Sequence, residues 1–107
     1  MLKILVVDDE KQARDNMIHC INVATNGFEI IGAAADGSEA LEMIRQTQPD
    51  IVLIDIQMPG ISGLDVIAEA RKEDLPVTFI IISSYSEFSF AQEAIRLGIF
   101  VKTFYAR

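Results

Sequence analysis

The sequence predicts a single α/β domain built on a parallel β-sheet, and three features lead to that fold class. The chain has 107 residues, half of them hydrophobic, which is enough for one core and leaves little over for a second domain. Short apolar runs alternate with amphipathic segments along the chain, as expected for parallel strands joined by right-handed helical crossovers. Two of those runs, residues 4–7 and 51–54, are followed directly by acidic residues.

The individual elements follow from local pattern, since strands are assigned to short apolar runs and helices to apolar residues three or four positions apart. In order, they are a strand over residues 4–7, a helix over 11–23, an edge strand over 28–35, a helix from Asp36 to Pro49, a strand over 51–54, a helix from Ser62, a strand over 77–82, a helix from Ser84 to Gly98 and a strand over 99–104. Helix starts are indicated by capping signals at Asp36-Gly-Ser-Glu39, Ser62-x-x-Asp65 and Ser84-x-x-Glu87. The predicted inward residues are Ala40, Leu41 and Ile44 in the second helix and Leu64, Ile67 and Ala68 in the third.

Three carboxylates stand just past the ends of two predicted strands. Asp8 and Asp9 follow the first strand, and Asp55 follows the third. In parallel sheets the carboxyl ends of the strands face the crevice where ligands bind, so we expect the three acids to share one pocket. Carboxylates a few ångströms apart repel one another, and such a pocket either holds a proton or binds a hard cation with oxygen ligands. The sequence therefore predicts a Mg²⁺ site.

Composition narrows the classes of function. A formal net charge of −7 argues against direct nucleic-acid binding, which needs a basic surface to displace counterions. There is no apolar run long enough to span a membrane. Residues 1–3 lead straight into the first strand without a signal peptide, so we expect a cytoplasmic protein with no membrane partner. One cysteine, Cys20, allows no internal disulfide.

Several motifs together resemble one known family over nearly the whole chain. They are Ile-Leu-Val-Val-Asp8-Asp9-Glu10, the segment Pro49-Asp-Ile-Val-Leu-Ile-Asp55-Ile-Gln-Met58-Pro59-Gly60-Ile-Ser-Gly63, and Ile-Ile-Ile-Ser83. This combination resembles the receiver domain of bacterial two-component response regulators, and most closely the receivers that precede an AraC-type DNA-binding domain. The resemblance implies a flavodoxin-like, doubly wound parallel sheet with strand order 2-1-3-4-5.

The resemblance also assigns roles to individual residues. Asp55 corresponds to the phosphoacceptor, which takes a phosphoryl group from a sensor histidine kinase. Asp9 corresponds to a direct Mg²⁺ ligand, Asp8 to a ligand acting mainly through water, and Gln57 to a ligand through its backbone carbonyl. Ser83 corresponds to the switch hydroxyl that donates to the phosphoryl oxygens. The protein implied is a signalling switch controlled by phosphorylation, with any DNA-binding output domain outside this chain.

The end of the sequence departs from the family. Counted from Gly98, the lysine-proline pair of the family falls on Tyr105 and Ala106, and Lys102 lies three positions earlier. Either Lys102 reaches the pocket through a shifted strand, or the usual lysine contact is missing; a shift of three would reverse the strand's faces. The chain also ends at Arg107 without the family's last helix, so residues 1–107 are expected to form a receiver that is truncated or altered at its C-terminus. Self-association, for example as a homodimer, is one way to cover the exposed sheet face.

Two other classes of function are weighed against the switch. A phosphotransferase or phosphatase of the haloacid-dehalogenase type also uses an aspartyl nucleophile and Mg²⁺, but it places a second acid two residues later, where this chain has Gln57. A pseudo-receiver would fold and bind partners without switching. The complete set of three acids argues against a pseudo-receiver, and the altered tail argues for it.

Overall fold

The computed structural model describes residues 1–24 and 27–82, which form a parallel sheet with helices packed on it. The elements are β1 (Leu2–Val7), α1 (Lys11–Ala24), β2 (Phe28–Ala34), α2 (Gly37–Thr47), β3 (Ile51–Asp55), α3 (Gly63–Lys72) and β4 (Thr78–Ile82). Within these described ranges, no helix combines the length and apolar character that crossing a membrane requires.

The sheet has the order β2-β1-β3-β4, and every neighbouring pair of strands is parallel. This confirms the predicted α/β class and, for the first four strands, the predicted doubly wound order. In register, Val7 of β1 pairs with Ile54 of β3, and Asp55 of β3 pairs with Ile82 of β4. The carboxyl ends of these three strands therefore lie side by side at one edge. The predicted helix at 84–98 and strand at 99–104 lie outside the described residues.

The core follows from strands that are buried on both faces. In β1, Leu5, Val6 and Val7 are completely buried, although consecutive side chains of a strand point to opposite faces. Helices on both sides of the sheet explain this, and they explain why the strand reads as a continuous apolar run rather than an alternating one. Phe79 of β4 is also fully buried and stabilises the fold by about 1.5–3 kcal/mol relative to an exposed side chain. The predicted inward face of α2 is confirmed at Ala40, Leu41 and Ile44.

The caps of α2 and α3 form as the sequence indicates. The Asp36 side chain accepts a hydrogen bond from the Glu39 N–H at 2.8 Å, and the Glu39 carboxylate accepts one from the Ala35 N–H. At α3, Ser62 and Asp65 form a complete capping box. These bonds satisfy backbone donors that a helix start leaves open, and they fix where each helix leaves the ligand-binding edge of the sheet.

The predicted face of α3 was partly wrong. Ile67 is buried as predicted, but Ala68 is exposed and Leu64 is only partly buried. The buried residues of the helix are Gly63, Val66, Ile67 and Ala70. Ala68 lies three positions after Asp65 and four before Lys72, which places it on the charged stripe of the helix. The charges, rather than the apolar residues, decide which side of this helix faces the core.

Candidate functional site

Three carboxylates meet at the carboxyl edge of the sheet. Asp8 and Asp9 follow β1, and Asp55 is the last residue of β3, the strand beside it. One oxygen from each carboxylate lies within 4.8 Å of an oxygen from each of the others. The structure thus brings together three acids that are separated by up to 47 positions in the sequence. Carboxylate oxygens are the ligands that Mg²⁺ prefers in proteins, so the donor set fits a hard divalent cation.

The three acids differ in exposure. Asp8 is buried, with 7% of its surface accessible, while Asp55 is half-buried and Asp9 is exposed. Burial raises the pKa of Asp8 above its usual value, and the negative charges of Asp9 and Glu10 raise it further. The hydrogen bond from the Glu10 N–H works in the opposite direction and lowers this pKa. The pocket therefore holds a negative charge in surroundings that disfavour it, and a bound cation would relieve that cost.

Asp8 is held from three sides. Its N–H donates to the Ala34 carbonyl oxygen of β2 at 3.1 Å, and its Oδ1 accepts from the Glu10 N–H at 2.9 Å. Its carbonyl oxygen accepts from the Arg14 guanidinium at 2.8 Å. Main chain and side chain are both anchored, which leaves the carboxylate little freedom to turn away from Asp55.

Sequence reasoning missed Arg14, although a signal for it exists. Arg14 lies on one stripe of α1 with Met17, Ile18 and Ile21, at helical spacings of three, four and seven residues, and all four are partly buried. A cation on the inward stripe of a helix, one turn from a cluster of acids, indicates a specific partner. Here the partner is a backbone carbonyl rather than a carboxylate, and charge pairing alone would not have found it.

The floor of the site depends on a close backbone approach. The Gly63 N–H donates to the Ile56 carbonyl oxygen at 2.8 Å. A Cβ at Gly63 would overlap the carbonyl oxygen of Asp55. The start of α3 therefore packs directly against the end of β3, and only glycine allows this contact. The loop between them has a left-handed backbone at Gly60, whose φ of +77° favours glycine or asparagine.

The remaining predicted site residues are placed less directly. The Gln57 side chain is exposed, in a loop that follows β3. Ser83 and Lys102 lie outside the described residues. Ser83 nevertheless follows Ile82 in the sequence, and Ile82 is the residue of β4 that pairs with Asp55.

Comparison with known proteins decides the family. Residues 4–102 match the family model of the response regulator receiver domain. The chain belongs to this family. The family predicted from the sequence motifs is therefore confirmed.

Receiver domains among the relatives match in both sequence and structure. The chain is 40% identical over 99 residues to the transcriptional regulatory protein YesN of Bacillus subtilis, covering 92% of this chain and 27% of YesN. The receiver (REC) domain of AraT, a response regulator from Geobacillus stearothermophilus, has 39% identity and a TM-score of 0.83, covering 94% of this chain and 78% of that one. A two-component transcriptional regulator AraC from Clostridium phytofermentans has 32% identity and a TM-score of 0.82, covering 96% and 81%. The chain spans 27%, 37% and 38% of the length of three curated relatives.

Membership defines the general activity. Receiver domains are phosphorylation-controlled signalling domains of two-component systems, and they accept a phosphoryl group rather than acting as classic enzymes. They bind Mg²⁺ through an acidic pocket, and the cluster of Asp8, Asp9 and Asp55 has the ligands and the spacing for such a site.

Proposed function

We propose that Asp55 accepts a phosphoryl group from the histidine of a sensor kinase, and that Asp8, Asp9 and the backbone carbonyl of Gln57 hold Mg²⁺ beside it. The observation that supports this most is the meeting of three carboxylates within 4.8 Å at the carboxyl edge of the sheet. When bound, Mg²⁺ supplies positive charge that offsets the repulsion between the acids and the phosphoryl oxygens.

Asp55 is the acid best placed to be the nucleophile. It ends β3 between the strands on either side, and the start of α3 closes the space beneath its backbone. One of its carboxylate oxygens attacks the phosphorus, and the bond between phosphorus and the kinase's histidine nitrogen breaks with its electron pair passing to that nitrogen. The product is an aspartyl phosphate. Phosphoryl transfer depends mainly on positioning and charge, so a rigid acceptor is favoured.

Asp8 and Asp9 have different roles in this proposal. Asp9 is exposed and would ligate the cation directly, whereas Asp8 is buried and would hold it mainly through water, as the family resemblance implies. The three anchors on Asp8 keep its charge directed at the pocket. This division follows the family resemblance, and the difference in burial is consistent with it.

Ser83 and Lys102 complete the proposed site. Ser83 follows Ile82 in the sequence, and Ile82 is the residue of β4 that pairs with Asp55, which supports the role that the family resemblance gives Ser83. That hydroxyl donates a hydrogen bond to the phosphoryl group and carries the signal into the following loop. Lys102 would make the lysine contact only if the last strand were shifted by three residues, which reverses the strand's faces, so a missing lysine contact is the favoured alternative.

The partners follow from the same proposal. A sensor histidine kinase supplies the phosphoryl group, and a DNA-binding output domain outside this chain receives the signal. YesN and the Clostridium phytofermentans protein are transcriptional regulators, which supports an output of this kind.

Acetyl phosphate tests the proposal without the kinase. The 107-residue chain is incubated with acetyl phosphate, with and without Mg²⁺, while acetyl phosphate consumed and phosphoryl groups retained on the protein are both measured. We expect Mg²⁺-dependent labelling that approaches one group per chain, with little consumption beyond it. Continuous consumption would instead indicate a phosphatase, and no labelling would indicate a non-switching interaction module.

Two variants make the test specific. Asp55→Asn is nearly isosteric and should abolish labelling while the chain stays folded. Asp74→Asn is the matched control, because Asp74 is exposed and has a left-handed backbone, with a φ of 56°, that asparagine accepts readily. Asp74→Asn should label like the unmodified chain.

A further inference from the structure

The side chain of Arg14, on α1, binds to the main chain of the acidic pocket. Its guanidinium Nη1 donates to the Asp8 carbonyl oxygen at 2.8 Å, in a partly buried position. That carbonyl belongs to the peptide unit that joins Asp8 to Asp9. Because the peptide is planar, holding its carbonyl restricts ψ of Asp8 and φ of Asp9, the backbone torsions on either side of it, and the hydrogen bond therefore acts on the backbone of both acids.

The hydrogen bond from Arg14 to Asp8 completes a ring of three hydrogen bonds next to the end of β1. Arg14 N–H donates to the Glu10 carbonyl oxygen at 3.1 Å as part of α1, and Glu10 N–H donates to the Asp8 carboxylate at 2.9 Å. The Arg14 side chain then returns to the Asp8 carbonyl. These three hydrogen bonds together link the first turn of α1 to the residues that follow β1.

We infer that Arg14 is a positioning residue for the acidic pocket, fixing the peptide between Asp8 and Asp9 so that both carboxylates face Asp55. This inference rests on the proposed function, because it assigns Arg14 a role in cation binding at that site. The observed partner of the Arg14 guanidinium is a backbone carbonyl rather than a carboxylate of the pocket. Arg14 acts on metal affinity as outer residues of metal sites do, by orienting the groups that ligate.

The positive charge of Arg14 and its orienting hydrogen bond have opposite expected effects on Mg²⁺ affinity. A guanidinium beside a cation site repels the cation, so removal of its charge alone would tighten Mg²⁺ binding. Removal of its orienting hydrogen bond would weaken binding, because the pocket would spend less time in the geometry that ligates. Loss of an orienting residue of a metal site typically costs 10- to 100-fold in metal affinity, so we expect the positioning effect to exceed the charge effect.

The test is a Mg²⁺ titration of the 107-residue chain followed by NMR amide chemical shifts, which needs no phosphorylation. Arg14→Met keeps an unbranched apolar stem and removes the donors, and Arg14→Lys keeps the charge and one donor group. We expect Arg14→Met to weaken the Mg²⁺ affinity by roughly 10-fold, the lower end of the range for outer residues of metal sites. Arg14→Lys should recover most of that loss. Labelling by acetyl phosphate should slow in parallel at low Mg²⁺ and recover at saturating Mg²⁺.

Lys11→Ala is the matched control. Lys11 lies in the first turn of α1, close to Arg14 in the sequence. Its side chain is 79% exposed and forms an ion pair with Asp15 rather than with an acid of the pocket. Its loss changes the net charge by the same amount as Arg14→Met. Its Mg²⁺ affinity should stay within about twofold of the unmodified chain, because it makes no contact with Asp8.

The outcomes separate this inference from the proposed function. Tighter Mg²⁺ binding by Arg14→Met, or unchanged affinity with a lower melting temperature, would overturn the positioning role and leave the Asp55 proposal standing. Failure of the unmodified chain to bind Mg²⁺ would overturn both. If Arg14→Met does not fold, Arg14→Lys decides the matter: a positioning role requires the folded Arg14→Lys chain to keep most of the Mg²⁺ affinity of the unmodified chain, and a loss of roughly 10-fold or more would overturn it.

Discussion

The acidic pocket and the Arg45–Glu73 ion pair shift the pKa of a carboxylate in opposite directions. In the ion pair, the Arg45 guanidinium on α2 donates twice to the carboxylate of Glu73 at the end of α3, at 3.0 and 2.6 Å. The hydrogen bonds from Arg45 are the largest cause that lowers the pKa of Glu73 from its ordinary 4.5 to about 2. In the pocket, burial raises the pKa of Asp8. One region stabilises its carboxylate with the chain's own groups, and the other holds a carboxylate where its charge is disfavoured.

The difference indicates which charges serve the fold and which serve a ligand. The ion pair joins two neighbouring helices, and its exposed partners limit what it contributes. The pocket lies where three strands end, and its like charges oppose folding until a cation binds. A perturbed acid at the edge of a parallel sheet is therefore better explained by binding than by stability.

The largest expected effect is at the floor of the pocket. Gly63→Ala would place a Cβ against the Asp55 carbonyl oxygen, so the start of α3 or the end of β3 has to move. We expect a loss of about 1–3 kcal/mol in the free energy of unfolding, together with slower labelling by acetyl phosphate. Urea denaturation measures the first quantity.

Gly60→Asn is the control for Gly63→Ala. Gly60 has a positive φ with open space around its Cα, and asparagine tolerates that backbone. It should change stability by less than Gly63→Ala and leave labelling intact. Equal losses from the two variants would show that the loop, rather than the contact beneath Asp55, sets the stability of this region.

A smaller effect is expected from neutralising the buried acid. The raised pKa of Asp8 means that its ionised form disfavours folding, and this cost is fully present above the folded pKa and fades as the pH falls toward the unfolded value of 3.8. Asp8→Asn should therefore raise the melting temperature at neutral pH without Mg²⁺, and this gain should shrink on acidification. It should also reduce the stabilisation that Mg²⁺ gives.

Asp15→Asn provides the comparison for Asp8→Asn. It removes one negative charge from the exposed face of α1, where Asp15 pairs with Lys11. Its melting temperature should stay equal to or slightly below that of the unmodified chain. A rise as large as that of Asp8→Asn would attribute the effect to net charge instead of to the pocket.

The smallest effect is expected at the ion pair. Because the pKa of Glu73 is lowered, its contribution to stability is fully present above about pH 4.5 and is lost as the pH falls toward 2. Glu73→Gln should be slightly less stable than the unmodified chain at pH 7, with a difference that shrinks in high salt and disappears in acid. Glu42→Gln, which removes a neighbouring exposed acid, should lack this dependence. A Glu73→Gln deficit at pH 2 as large as that at pH 7 would contradict the pairing.

Much of the fold and the site could be predicted because both rest on strand periodicity. Residues 4–7 and 51–54 are apolar at every position, as expected for strands that are covered on both faces. Parallel strands bring their carboxyl ends together at one edge of the sheet. Asp8, Asp9 and Asp55 could therefore be placed in one pocket from their positions alone.

What the sequence could not supply depends on single contacts. The face of α3 was misjudged because apolar residues occur on more than one side of the helix, and the charges around Ala68 settle the question. Arg14 escaped notice because its partner is a carbonyl group, which leaves no pattern of opposite charges. The need for glycine at Gly63 is visible only when the Asp55 carbonyl is seen next to it.

The most direct test of the central claim is to locate the phosphoryl group. The chain is labelled with acetyl phosphate, digested under acidic conditions that preserve acyl phosphates, and mapped by mass spectrometry. We expect a single modified residue, Asp55, with labelling that is lost when Mg²⁺ is removed. A phosphoryl group on Asp8, Asp9 or an acid outside the pocket, or labelling of Asp55 at full rate without a divalent cation, would contradict it.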